Sequence, residues 1–320
     1  MVGCATSPAC NTFRFTAMKR ILVPVDYSEN AQNALTYAFE IAHLAGAELI
    51  LLHVFYPIMA PPAAHSAMDV IQSMEEGQAR SLLDFVEQIR NSITIDSGKA
   101  GSFSTVPVKV IAKMGGAYEK ILETIERYNV DLVLMGMQGG EAVSQALVGS
   151  TTISVMQKSR VPVLAVPKGS TFNQFATIVF AINLRKLHDK ADLSFLRDFV
   201  KVFKANLQVL HLYRNETQQN TYEATQPLQH LVQQFEDIPY TVNFDVQENV
   251  ARGIQNFIRA QKAELLVLVP QKHSMLERLL DKSVTGRITA HPLVPLLALP
   301  ANTLTPPDTT PETLVTHVQL

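Results

Sequence analysis

DLVLMGMQGGEAVSQALVGSTT, residues 131–152, reads as three pieces in succession. Asp131 to Met135 is a mostly apolar run of the length of a buried strand. Gly136, Gly139 and Gly149 then punctuate a loop in the pattern G-x2-G-x9-G-S, and Ser150, Thr151 and Thr152 follow. From Gly149 onward Ile153, Met156 and Gln157 fall on helical spacing. Glycine lets a ligand approach the backbone closely. The first N–H groups of a helix are unpaired and lie at the positive end of its dipole, so such a junction can hold phosphate. Ser150 and Thr152 add hydroxyl donors there.

Outward from this stretch, strands and helices alternate. Arg20 to Asp26 (RILVPVD) reads as a buried strand, with Ser28 as N-cap to a helix carried by Ala31, Leu35, Ala38, Ala42 and Ala45 and stopped at Gly46. Glu48 to Phe55 is a second strand. A long amphipathic helix is expected from Met68 to about Ile95, and a third strand from Val106 to Ile111. Gly115-Gly116 opens a third helix, Ser150 to Ser159 is the fourth, and Pro162 to Val166 closes the set as strand five. Such alternation predicts an α/β fold, an open parallel sheet with helices on both faces. Ligands in that architecture sit at the carboxyl ends of strands where the strand order reverses. Asp26 and Gly136 each stand at such an end.

The pattern then repeats. TIVFAIN at 177–183 parallels RILVPVD, LQVLHLY at 207–213 parallels LILLHVF at 49–55, and VPLLALP at 294–300 parallels VPVLAVP at 161–167, 133 residues earlier. The reading is one domain duplicated in tandem. The boundaries are residues 18–167 for the first copy, 168–174 for a polar linker and 175–300 for the second. Residues 1–17 are expected to be a disordered extension, or an upstream stretch from a misassigned start, and the Thr- and Pro-rich 301–320 a disordered tail. The second copy has Asn183 where the first has Asp26, Val269 and Lys272 where it has Gly136 and Gly139, and Lys282 where it has Gly149. Ser283 and Thr285 survive. Side chains there obstruct close backbone approach, so only the first copy is expected to hold a nucleotide.

Across residues 18–300 these features resemble a tandem universal stress protein. The likeness rests on ILVPVD with Asp26, on His53-Val54, on DLVLMG, on the G-x2-G-x9-G-S loop and on VPVLAVP. The resemblance implies two open five-stranded domains of strand order 3-2-1-4-5 and, with this loop, ATP between the ends of strands one and four. By that likeness Asp26 bonds the adenine edge and Val54 lines the base pocket. Gly136 and Gly139 pass close to ribose and phosphates, while Gly149, Ser150, Thr151 and Thr152 hold the phosphates. Mg²⁺ would arrive with the phosphates. Pairing through strand five, common in the family, would make the two copies an internal pseudo-dimer, with a homodimer also open.

The totals narrow the function classes. The 320 residues carry a net charge of −2, which favours neither nucleic acid nor acidic membranes as a partner. No apolar run reaches the roughly 20 residues of a membrane span. The two cysteines, Cys4 and Cys10, lie in the first ten residues, which fits a reducing, cytoplasmic setting. The nine histidines show no zinc-ligand spacing. The loop lacks the lysine of a Walker motif, and no residue pair fills the roles of phosphoryl-transfer catalysis. The expected function is an ATP-binding stress or signalling module acting on an unidentified protein partner. The alternative is a nucleotide-independent, partner-binding or chaperone-like stress protein. Lys113, at the end of strand three, is expected as a solvated charge, and His53 and His211 as hydrogen-bonded strand-end residues.

Overall fold

The computed structural model describes residues 18–56, 67–96, 102–137, 149–270 and 294–304. In the first half the strands are β1 (Arg20–Pro24), β2 (Glu48–Phe55), β3 (Val108–Met114), β4 (Leu132–Met137) and β5 (Val163–Pro167). The helices are α1 (Glu29–Ala45), α2 (Ala67–Asp96), α3 (Ala117–Tyr128) and α4 (Ser150–Lys158). The second half has β6 (Thr177–Ala181), β7 (Asn206–Tyr213), β8 (Tyr240–Val246), β9 (Leu265–Leu268) and β10 (Leu296–Ala298). Among its described residues the helices are α5 (Ser194–Phe203), α6 (Glu216–Thr221), α7 (Thr225–Phe235) and α8 (Val250–Gln261).

Helix α1 shows how local sequence sets an element. The Ser28 hydroxyl accepts from the Ala31 amide at its start, and Gly46 ends it in the left-handed region at φ 66°. Between them Ala31, Ala34, Leu35, Ala38 and Ala42 are buried against the sheet, four of the five being alanines that allow close approach.

The ten strands among the described residues form one sheet in the order β3-β2-β1-β4-β5-β10-β9-β6-β7-β8. Within each half the order is 3-2-1-4-5 and every pair is parallel. The halves join where β5 meets β10 antiparallel, with Leu164 opposite Leu297. The expectation of two five-stranded sheets is therefore refined: the edges left open at strand five complete each other's hydrogen bonds, giving a continuous sheet. Side-chain alternation then builds two cores. Ile21 and Val23 face α1 and α2, on the side that in the second half holds α5 and α7. Leu22 faces α3 and α4, on the side that holds α8.

The segment read as a linker is held down. Asn33 Nδ2 donates to Pro167 O at 2.8 Å and Tyr37 Oη to Thr171 O at 2.8 Å. Phe172 and Phe175 both pack on the Tyr37 ring. Residues 301–304, placed in the tail by their composition, are also packed. Ala301–Thr303 form a 3-10 turn, Leu304 is buried, and the His188 and Asp192 amides donate to Leu304 O and Thr303 O. Among the described residues no helix is long and apolar enough to cross a membrane.

Candidate functional site

The strand order reverses at β1, which has β2 on one side and β4 on the other. Because these three strands are parallel, their carboxyl ends share one edge. Most of the residues singled out in the sequence lie along it.

Asp26 follows β1 and is exposed. Its Oδ1 accepts from the Ser28 amide at 3.0 Å and from the Ser28 hydroxyl at 2.5 Å, so it supports the residue that caps α1. Tyr27, between them, is held at φ 63°, an uncommon and strained conformation for a bulky residue. Its ring lies 4.6 Å from that of His53 and 5.1 Å from that of Phe85, and burial raises the phenol pKa. His53 Nδ1 lies 2.8 Å from Val25 O, the hydrogen-bonded strand-end role expected of it. Val54 faces the opposite side, half-buried against the core of α3 and α4.

Gly136 corrects the sequence reading. It lies inside β4, paired with Val166, and not in a loop after it. A Cβ on it would lie 2.5 Å from Asn30 O and 2.9 Å from Asn30 Cβ. The glycine lets the first turn of α1 rest on the strand. Thr152 Oγ1 donates to Gly136 O at 3.3 Å and so ties the start of α4 to the end of β4.

Gly149 is different. It is the N-cap of α4, with φ −53° and no side-chain capping bond. A Cβ there meets only Thr152 Oγ1, at an ordinary 3.9 Å. Neither strain nor packing among the described residues requires a glycine at this position. Ser150 is exposed, Thr151 half-buried and Thr152 buried. Gly139, with Gln138 and Glu141, lies outside the described residues, as do Lys272, Lys282, Ser283 and Thr285 of the second half.

Two features were not legible in the sequence. Asn30 Oδ1 is buried beside Gly136 without a hydrogen-bond partner among the described residues, although nothing in a helix's first turn marks one asparagine from another. Lys113 is not simply solvated: its Nζ lies 2.6 Å from Glu75 Oε2, and the Met114 amide donates to Glu75 Oε1. Glu75 comes from α2, distant in sequence. In the second half Asn183 caps a 3-10 turn, its Oδ1 accepting from the Arg185 amide, and Val269 is buried where Gly136 would be.

The sequence pattern of the universal stress protein family matches residues 18–167. Universal stress protein MJ0577 of Methanocaldococcus jannaschii is 30% identical over 159 residues, 47% of this chain and 95% of its own length. Universal stress protein A homolog 2 of Coxiella burnetii is 30% identical over 158 residues, 48% of this chain and 97% of its own. Among solved structures, a universal stress protein from Archaeoglobus fulgidus superposes with a TM-score of 0.65 at 19% identity. That superposition covers 88% of this chain and 98% of the other, a likeness of fold across both halves.

Proposed function

The chain belongs to the universal stress protein family, and on that premise we propose that its first half holds an adenine nucleotide, ATP foremost, as a stress-response or signalling module. The observation that carries the reading is the N-terminus of α4. Among the described residues its first amides have no side-chain cap, it opens beside the end of β4, and the residue before it is a glycine that packing there does not demand. A helix start of this kind favours a phosphate chain. Gly149, Ser150, Thr151 and Thr152 would hold the phosphates, with Gly136 and Gly139 beside the ribose. Asp26 can keep Oδ1 on Ser28 and offer Oδ2 to the adenine amino group, and Val54 gives the base an apolar contact. Mg²⁺ would come with the phosphates, coordinated chiefly by them.

In this reading residues 18–167 are the binding domain and 175–300 a second domain without an equivalent site, since a buried Val269 replaces Gly136. We assign no catalytic residue. A cytoplasmic location belongs to the same reading, supported by cysteines confined to the first ten residues. The ligand, once bound, would act through a protein partner that recognises the loaded state.

The test is to denature the purified full-length protein and chromatograph what it releases, or to titrate it with ATP if it purifies empty. One adenine nucleotide per chain is expected, and Gly149→Lys, which copies the second half's own residue, should abolish it. Two equal sites per chain would contradict the one-site assignment. An unchanged content in Gly149→Lys would remove the loop from the site. Absence of binding altogether would favour a nucleotide-independent, partner-binding protein.

A further inference from the structure

The second half gathers polar groups that its fold leaves unused. His211 on β7 is only 2% exposed, and its Nε2 is buried with no hydrogen-bond partner among the described residues. The hydroxyl of Tyr222 is likewise buried and unpartnered. The two rings lie 5.6 Å apart, centroid to centroid. Tyr213 and Phe244 complete the surround, nearly parallel to each other at 6.0 Å and edge-on to His211. Arg185, exposed on the connection after β6, places its guanidinium 5.3 Å from the centre of the Tyr222 ring. Among the described residues it has no carboxylate partner. A buried polar atom left without a partner destabilises the fold, so two in one place are a feature to explain.

The first half shows what is particular here. His53 also sets Nδ1 on the carbonyl at the end of its first strand, but its ring is half-exposed and its aromatic neighbours are Tyr27 and Phe55. Among the described residues no arginine stands over that group: the counterpart of the Asn183–Arg185 turn is Asp26 to Ser28, which caps α1.

Each group specifies part of a ligand. His211 Nδ1 lies 3.1 Å from Ile182 O, which can only accept, and 3.3 Å from the Leu184 amide, which would need the other tautomer. The shorter contact, and its repetition at 2.8 Å in His53, put the proton on Nδ1. Nε2 is then a bare acceptor that calls for an N–H or O–H donor. Burial lowers the imidazole pKa, with the Arg185 charge adding to it, so the ring stays neutral at pH 7. Arg185 presents a planar fork suited to a carboxylate. The ring faces between them favour a flat molecule.

Residues 214–224 form an excursion that includes α6, and Tyr222 is one of only three members that are not fully exposed. With few anchors, this segment can lift and carry Tyr222 off His211.

We propose that Arg185, His211 and Tyr222 form a second ligand site, for a small planar carboxylic acid bearing a hydrogen-bond donor, beneath the α6 segment. It is independent of the nucleotide reading, because it uses neither the glycine loop nor any residue of the first half. The acid's carboxylate would pair with Arg185, its donor with His211 Nε2, and Tyr222 would close over it.

The probe is 4-hydroxybenzoate, titrated into the full-length protein and followed by calorimetry and by the ¹⁵N resonance of His211 Nε2. Saturable binding is expected with a shift of that resonance. Arg185→Gln should weaken binding at least tenfold, Tyr222→Phe several-fold, and the neutral 4-hydroxybenzamide should bind at least tenfold more weakly than the acid. Gly149→Lys should leave binding unchanged. Circular dichroism confirms that each variant is folded. Failure of the folded wild type to bind overturns the proposal. So does unchanged affinity in Arg185→Gln, binding that leaves the His211 resonance unmoved, or loss of binding in Gly149→Lys, which would place the probe in the first half.

Discussion

Asn30 and Gly136 are in contact closer than any side chain on residue 136 would permit: a Cβ there would lie 2.5 Å from the Asn30 carbonyl oxygen. Since that oxygen belongs to the backbone of α1, the helix itself must move to admit a methyl group. Gly136→Ala should destabilise the protein by about 1–3 kcal/mol, the usual cost of overpacking. Gly149→Ala, at a negative φ with open space, should stay within about 0.5 kcal/mol of the parent. Urea unfolding of the two variants makes the comparison. Nucleotide titration should rank them differently, with Gly149→Lys losing ligand while keeping its fold.

The cap of α1 makes a second prediction. Ser28→Ala removes the acceptor for the Ala31 amide and should cost about 1 kcal/mol. Asp26→Ala removes the carboxylate that holds Ser28 and should lower stability in the same direction. In the double variant the two losses should fall short of additivity, because one hydrogen-bond chain runs through both residues. Full additivity in a double-mutant cycle would show that they act separately.

Stability should fall as pH drops through the titration range of His211. Burial lowers its folded pKa below the ordinary 6.5, with Arg185 acting in the same direction and the Ile182 carbonyl opposing. The unfolded chain therefore takes up a proton before the folded one does. The stabilisation of the neutral ring is complete above about pH 6.5 and is lost from there down to the folded pKa, at up to about 1.4 kcal/mol per pH unit. The phenols facing His211, Tyr213 and Tyr222, have raised pKa values and remain neutral throughout this range. A His211→Gln variant should show a flatter denaturation midpoint between pH 7 and 5.

The joint between the halves should be among the costliest places to cut. Leu164 and Leu297 are opposite each other across the β5–β10 pair and both are fully buried. Replacing either with alanine should cost about 2–5 kcal/mol. Unfolding of the parent monitored separately in each half should give one transition, since both cores run through the joint. Two separated transitions would show that the halves fold independently.

Much of this molecule was legible in its residues. The alternation of apolar strands with amphipathic helices marks a parallel α/β fold because burial on both faces leaves unbroken Val, Ile and Leu runs. The repeat, at 133 residues for several landmarks, marks a duplication, and the loss of its glycines marks an asymmetry between the copies. Strand ends were less legible: β4 runs two residues past its expected end, through a glycine that local propensity would place in a turn. Lys113 likewise looked solvated until the fold brought Glu75 to it.

What the sequence determined by itself is the set of local periods, caps and glycines, since these depend on residues a few positions apart. What the glycines are for depends on the packing of distant segments. Gly136 admits a helix and Gly149 leaves a helix end uncapped, a distinction that turns on whether backbone from elsewhere in the chain comes within a van der Waals radius. The same holds for His53 and His211. Equivalent in position within the repeat, they are separated by the neighbours the fold supplies: His53 is half-buried, and His211 has a buried nitrogen without a partner among the described residues, beside Tyr222.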